Sequence, residues 1–102
     1  MPRLQRMTPA AYRLIPSDDY ERSRADLTGS APRALKEIED GIAHNPFSYP
    51  GVDLPGHERH DYGDLIVVRS GGLLVSYAIR QMSVILLEVM DELSPPPWYT
   101  DD

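Results

Sequence analysis

Residues 63–89, GDLIVVRSGGLLVSYAIRQMSVILLEV, hold three apolar runs, broken at Ser70-Gly71-Gly72 and at Arg80-Gln81-Met82. Each run has strand length, is rich in β-branched residues and is bounded by turn formers, so the stretch reads as an antiparallel meander. Gly71-Gly72 supplies the positive φ that a tight hairpin turn needs. A three-residue loop at 80–82 pairs Ile79 with Ser83, Tyr77 with Ile85 and Val75 with Leu87. One face is then Val75, Tyr77, Ile79, Ile85, Leu87 and Val89, almost wholly apolar. The other is Leu74, Ser76, Ala78, Arg80, Val84, Leu86, Glu88 and Met90. A two-residue turn shifts the pairing by one and mixes the two sets, so the three-residue turn is the expected register. The first face takes helices. The second is half apolar and needs a cover.

Upstream, AYRLIP alternates and stops at Pro16, as a short strand does. Ser17 then caps a helix whose first turn carries Asp18, Asp19 and Glu21, suiting the positive end of the helix dipole, and Gly29 ends it. Ser30 caps a second helix with Pro32 near its start. In it Leu35, Ile38 and Ile42 recur at helical spacing and form a face toward a core, and Asn45-Pro46 stops it. Residues 47–64, FSYPGVDLPGHERHDYGD, read as a linker in which Val52 and Leu54 form a short edge strand. Residues 1–10 are expected to be a flexible arm, 11–92 a single domain, and 93–102 a Pro-rich tail. No internal repeat is present.

The chain of 102 residues carries ten Lys and Arg against sixteen Asp and Glu, a net charge of −6. Nucleic-acid binders take much of their affinity from neutralised phosphates, so an acidic chain argues against direct nucleic-acid binding and favours a basic protein partner. With no cysteine there is neither a disulfide framework nor a thiolate metal site, as in a cytoplasmic protein. No apolar run is long enough for a membrane span. No phosphate-binding glycine loop, nucleophile elbow or specific metal motif occurs, and no cofactor is expected.

The order strand, helix, helix, Pro/Gly linker, three-stranded meander resembles the RelE/ParE superfamily, the small toxins of bacterial type II toxin–antitoxin modules. The resemblance is carried by AYRLIPSDDYERSRADL, AHNPF, LPGHERHDYGDLIVVRSGGLLVSYAI and SVILLEV, roughly residues 11–91. It implies an α+β fold with an N-terminal strand, two helices and an antiparallel meander. It also implies an antitoxin partner, with the ribosome as target in the ribonuclease branch and DNA gyrase in the ParE branch. In the ribonuclease branch the pattern places an Arg on the open sheet face, and a His or Arg, often followed by a Tyr, after the last strand. The matching positions here are Leu74 and then Met90, Asp91 and Glu92. Acid–base cleavage of RNA needs a proton acceptor, a donor and a cation beside the phosphate. These side chains do not supply that set. The resemblance therefore favours a toxin-like protein that acts by binding protein, as the ParE branch does, over a ribosome-dependent ribonuclease; a non-toxic interaction module on the same scaffold is a third reading.

The remaining candidates are few. Arg69 and Arg80 at turn edges, with His57 and His60 in HERHD, are the residues a ribonuclease on this chain would have to use. Flanking Pro55-Gly56 and Tyr62-Gly63 make HERHD a polar surface loop, which orients neither histidine. Glu88, a charge inside SVILLEVM, is expected on the open face. Leu74, Val84, Leu86 and Met90 offer an apolar strip for a partner segment, with Glu88 beside it. Trp98, behind three prolines, is a candidate anchor for a partner or for the chain's own sheet.

Overall fold

The computed structural model describes residues 11–52 and 54–92. The expected arm and tail, Trp98 included, lie outside the described residues. The element order is β1 (Arg13–Pro16), α1 (Asp18–Ala25), α2 (Ala31–His44), β2 (Glu58–Tyr62), β3 (Leu65–Ser70), β4 (Leu73–Arg80) and β5 (Ser83–Asp91). The strands form one sheet in the order β1-β5-β4-β3-β2, with β1 parallel to β5 and the remaining pairs antiparallel. The α+β class is as expected, but the meander has four strands, not three. HERHD, expected as a loop, lies in β2 except for His57, which precedes the strand. Leu54 does no more than bridge to His57, in place of the short edge strand expected at Val52 and Leu54. Among the described residues no helix is long and apolar enough to cross a membrane.

Local chemistry sets the helices. The Ser17 hydroxyl accepts from the Tyr20 amide at 3.1 Å and donates to the Leu87 carbonyl at 3.0 Å, so one side chain both caps α1 and ties it to β5. α1 ends at Ala25, and Gly29 (φ 64) turns the chain toward α2. Ser30 occupies the N-cap position of α2 but makes no side-chain capping bond, because its backbone is already helical (φ −89, ψ −3). Leu35, Ile38 and Ile42 face the sheet and join Tyr20, Val68, Val75, Tyr77 and their neighbours in one core.

The register differs from the expected one at its second turn. Arg80 pairs with Ser83, so the hairpin closes on two residues, Gln81 and Met82, with Gln81 at φ 57. Ile79 then faces Val84, and Tyr77 faces Leu86. A bulge beyond Tyr77 inserts Leu87 as an extra residue, after which Ser76 pairs with Glu88 and Val75 with Val89. The shift of one residue sends Val84 and Leu86 inward (0% and 2% exposed), and the bulge restores Val89 to the same core. Ile85 and Leu87, expected in the core, are only partly buried. The β4 half of the expected pattern holds: Val75 and Tyr77 point to the helices and Leu74 to the other side. The first hairpin is as expected, with Gly71 (φ 61) and Gly72 (φ 82) at its tip.

Candidate functional site

Both helices cover one face of the sheet; among the described residues, the other face carries no helix. Cross-strand pairing arranges it in rows. At one end Arg13, Ser83 and Arg80 lie side by side. Next comes an apolar row of Ile15, Ile85 and Ala78, with Leu87 adjoining it at the bulge. Then follow His60, Val67, Ser76 and Glu88, and last Glu58, Arg69, Leu74 and Met90.

Arg69 is the best-held charge on this face. Its Nη1 donates to Glu58 at 2.8 Å and its Nε to Glu92 at 3.0 Å. The bond to Glu92, followed by the charges of Glu92 and Glu58, raises the guanidinium pKa above its ordinary value. His60 Nε2 lies 3.8 Å from the same Glu58, and its ring stacks on Tyr62 with centroids 6.3 Å apart. Arg69, Glu58 and His60 thus form one chain of polar groups on the open face.

Strand geometry separates the other candidates from that chain. His57 lies three residues before His60, an odd spacing that puts it on the helix side of the sheet. There its Nδ1 lies 3.0 Å from the hydroxyl of buried Ser70. Arg80 is six residues along β4 from Leu74, the partner of Arg69, so the two arginines are roughly 20 Å apart. Arg80 is exposed and donates to its own neighbour's carbonyl, that of Ile79, at 3.0 Å. The candidates His57, His60, Arg69 and Arg80 are therefore not one site; only Arg69 and His60 come together. Of the expected partner-binding strip, Leu74, Glu88 and Met90 lie on the open face, whereas Val84 and Leu86 belong to the core and cannot meet a partner. Ile85 and Leu87, partly buried, stand on the open face instead. Among the described residues no three His, Asp or Glu side chains assemble as metal ligands.

Two polar networks had little sequence signal. Arg59 Nη1 donates to the carbonyls of Pro46 (3.0 Å) and Tyr49 (3.1 Å) and to the Tyr77 hydroxyl (3.1 Å), while its Nε and Nη2 reach Asp61. Burial works against the Arg59 charge, and the bonds to Asp61 and Tyr77 outweigh it, leaving the pKa raised. Tyr77 donates in turn to the Pro46 carbonyl at 2.7 Å. This pin holds the segment after α2 against the edge of the sheet, where Ser48, Pro50, Val52, His57, Glu58 and His60 line an open cleft of about 470 Å³. Arg59 was illegible because the alternation Glu58, Arg59, His60, Asp61 has no apolar side. The second network joins Tyr20, whose hydroxyl donates to Glu39 Oε2 at 2.7 Å, and Arg24, which donates to Glu39 Oε1 at 3.3 Å. Its one signal is that Glu39 falls on the Leu35, Ile38, Ile42 stripe, four residues after Leu35.

No family model and no curated protein matches this sequence. Solved structures do. The archaeal RelE–RelB complex of Pyrococcus horikoshii OT3 aligns with 80% of this chain and 96% of its own, at a TM-score of 0.62 and 18% identity. The toxin–antitoxin complex RelBE2 of Mycobacterium tuberculosis aligns with 84% of this chain and 97% of its own, at a TM-score of 0.55 and 18% identity. At this identity the likeness speaks for the fold. The alignments extend over nearly the whole of both relatives. The chain therefore has a RelE-like fold.

Proposed function

We propose that this chain is the toxin-type component of a cytoplasmic toxin–antitoxin module, with residues 11–92 as the working domain, and that it acts by binding protein, not by cutting RNA. The relatives, which are toxin–antitoxin complexes, support an antitoxin partner. The observation that carries the protein-binding reading is the state of Arg69. Among the described residues, the one guanidinium on the interior of the open face is already held by two carboxylates, at 2.8 and 3.0 Å, and the rest of the interior is largely apolar. A cation neutralised this way is poorly placed to receive a phosphate. Leu74, Ile85, Leu87 and Met90 instead offer a surface whose burial would stabilise a complex. A gyrase-type protein target fits this reading better than the ribosome.

One observation favours a second reading. His60 and Arg69 each lie within ion-pair range of Glu58, which puts an acid–base candidate, a carboxylate and a cation on one face. Primer extension on messenger RNA in a translating extract, with the purified chain and its Arg69→Ala and His60→Ala variants, separates the two. The protein-binding reading expects no cuts above background. Discrete cuts that vanish in both variants would establish the ribonuclease. Growth arrest on induction, relieved by co-expressing a small reading frame found next to its gene, tests the toxin–antitoxin reading independently of mechanism.

A further inference from the structure

β2 is the last strand of the sheet on its side, and its outer edge is bare. The two-residue turns at Gly63-Asp64 and Gly71-Gly72 fix which way its backbone points. Tyr62 and Leu65 close the first turn, and Ser70 and Leu73 close the second. Counting back from either turn gives the same alternation. Glu58, His60 and Tyr62 exchange hydrogen bonds with β3, while Arg59 and Asp61 turn their amides and carbonyls outward. Among the described residues no backbone bond reaches those outward groups. Ser48, Pro50 and Val52 line the cleft beside β2 but make no backbone bond to it.

A bare edge recruits another strand, and its side chains decide which one. Arg59 and Asp61 lie on the helix side of β2, with Glu58, His60 and Tyr62 on the open face. An antiparallel copy of β2 can bond only where outward residues oppose outward residues. Slid one way, it sets Arg59 against Arg59; slid the other way, Asp61 against Asp61. The centred register sets Arg59 against Asp61 twice, with His60 opposite His60 and Glu58 opposite Tyr62. Opposed unlike charges favour that register, and like charges reject the other two.

Apolar groups flank the edge at both ends. Val52, Leu54, Tyr62 and Leu65 are four of the six large hydrophobic residues exposed among the described residues. Val52 and Leu54 belong to the Glu58 end, since Leu54 bridges to His57, and Leu65 pairs with Tyr62 at the other end. A two-fold axis brings these unlike ends together.

We infer that the occupant of this edge is a second copy of the chain, paired β2 to β2 about a two-fold axis at His60. Two five-stranded sheets then become one continuous sheet. The dimer uses the edge and leaves the open face free, so it stands apart from the protein-binding reading. It brings Tyr62 of the second copy beside Glu58, at the polar chain of Glu58, His60 and Arg69. Such a contact is small, so association is expected at about 10⁻⁵ to 10⁻⁴ M.

The chain has no cysteine, so introduced cysteines read the register directly. Opposed residues of a pair without mutual hydrogen bonds have Cα atoms about 4.5 Å apart, within disulfide reach. Oxidised in the full chain, His60→Cys is expected to form a covalent dimer about tenfold faster than Glu58→Cys or Tyr62→Cys alone. Each of those two lies roughly 13 Å along the strand from its own copy. Mixed together, Glu58→Cys and Tyr62→Cys should cross-link to each other. Thermal melts check that each variant keeps its fold. Sedimentation of the unsubstituted chain should show a reversible dimer, which Asp61→Lys weakens about tenfold by setting lysine against Arg59 twice. Equal cross-linking at 58, 60 and 62 would overturn the inference, as would His60→Cys linking to Glu58→Cys faster than to itself. A chain that still sediments as a monomer at about 500 µM would overturn the dimer and leave the edge to a different protein.

Discussion

Leu86 and Leu87 are neighbours that serve opposite sides of the sheet. Leu86 is 2% exposed beneath the helices, while Leu87 is the extra residue of the bulge and only partly buried. Leu86→Ala should cost about 2–5 kcal/mol, since it removes three heavy atoms from a packed core. Leu87→Ala should cost clearly less than that in the isolated chain. Urea melts of the two variants decide it, and equal losses would mean that the open face is covered within the chain. Tyr20 carries a pH dependence. Burial first, and then its bond to Glu39, raise its pKa above the ordinary tyrosine value. The folded chain therefore holds this proton more tightly than the unfolded chain does. That contribution is fully present below pH about 10 and is lost as pH rises beyond it, because the unfolded state ionises first. Melting temperature should fall above pH about 10, and Tyr20→Phe should flatten the fall. A wild-type slope equal to that of the variant would remove Tyr20 as its cause.

At the scale of elements, the second hairpin turn and the bulge together explain which register the chain adopts. A two-residue turn at Gln81-Met82 flips β5 by one position, and the bulge at Leu87 flips it back. Either device alone would leave part of β5 facing the wrong way. The run Val84-Ile85-Leu86-Leu87 is apolar at four consecutive positions, so no alternation marks which residues point inward. The helices, the first hairpin and the inward face of β4 were legible because each has a local signature: Ser17 with its acidic turn, Gly71-Gly72, and the alternation of Val75 and Tyr77 with Leu74 and Ser76. β2 was not, because a strand written in Glu, Arg, His and Asp has no hydrophobic period to read. Half of the candidate site went with it, since Glu58 and His60 reach Arg69 only once β2 pairs with β3. The turn itself can be tested. Gln81 sits at φ 57, a left-handed conformation that costs a side-chain-bearing residue about 1–2 kcal/mol, against about 0.5–1 kcal/mol of added unfolded-state freedom for glycine. Gln81→Gly should therefore stabilise the chain by up to about 1 kcal/mol, and Gln81→Val should destabilise it. Thermal melts of both read the sign. A stabilising valine would mean that the hairpin closes in another register.

At the scale of the whole molecule, a net charge of −6 opposes contact with a polyanion, but affinity is decided by the charges free at the surface in question. Arg69 is engaged by Glu58 and Glu92, and Arg59 is spent on the Pro46 and Tyr49 carbonyls and on Asp61. Among the described residues, that leaves Arg13 and Arg80 on the open face. A single-stranded RNA gripping this face can thus neutralise about two phosphates, and each contributes about −0.7 to the slope of log K against log salt. The expected slope is about −1.4, with an affinity no tighter than the weak end of non-specific binding, about 10⁻⁴ M near physiological salt. Fluorescence anisotropy of a labelled single strand, titrated across salt, measures both quantities. In Arg13→Ala/Arg80→Ala the slope should approach zero. A slope near −4 with micromolar affinity would require that Arg69 abandon its carboxylates for phosphate and that further cations join it. The acidic rim would then be a partner the RNA displaces, and the case for a ribonuclease on His60, Glu58 and Arg69 would overtake the case for protein binding.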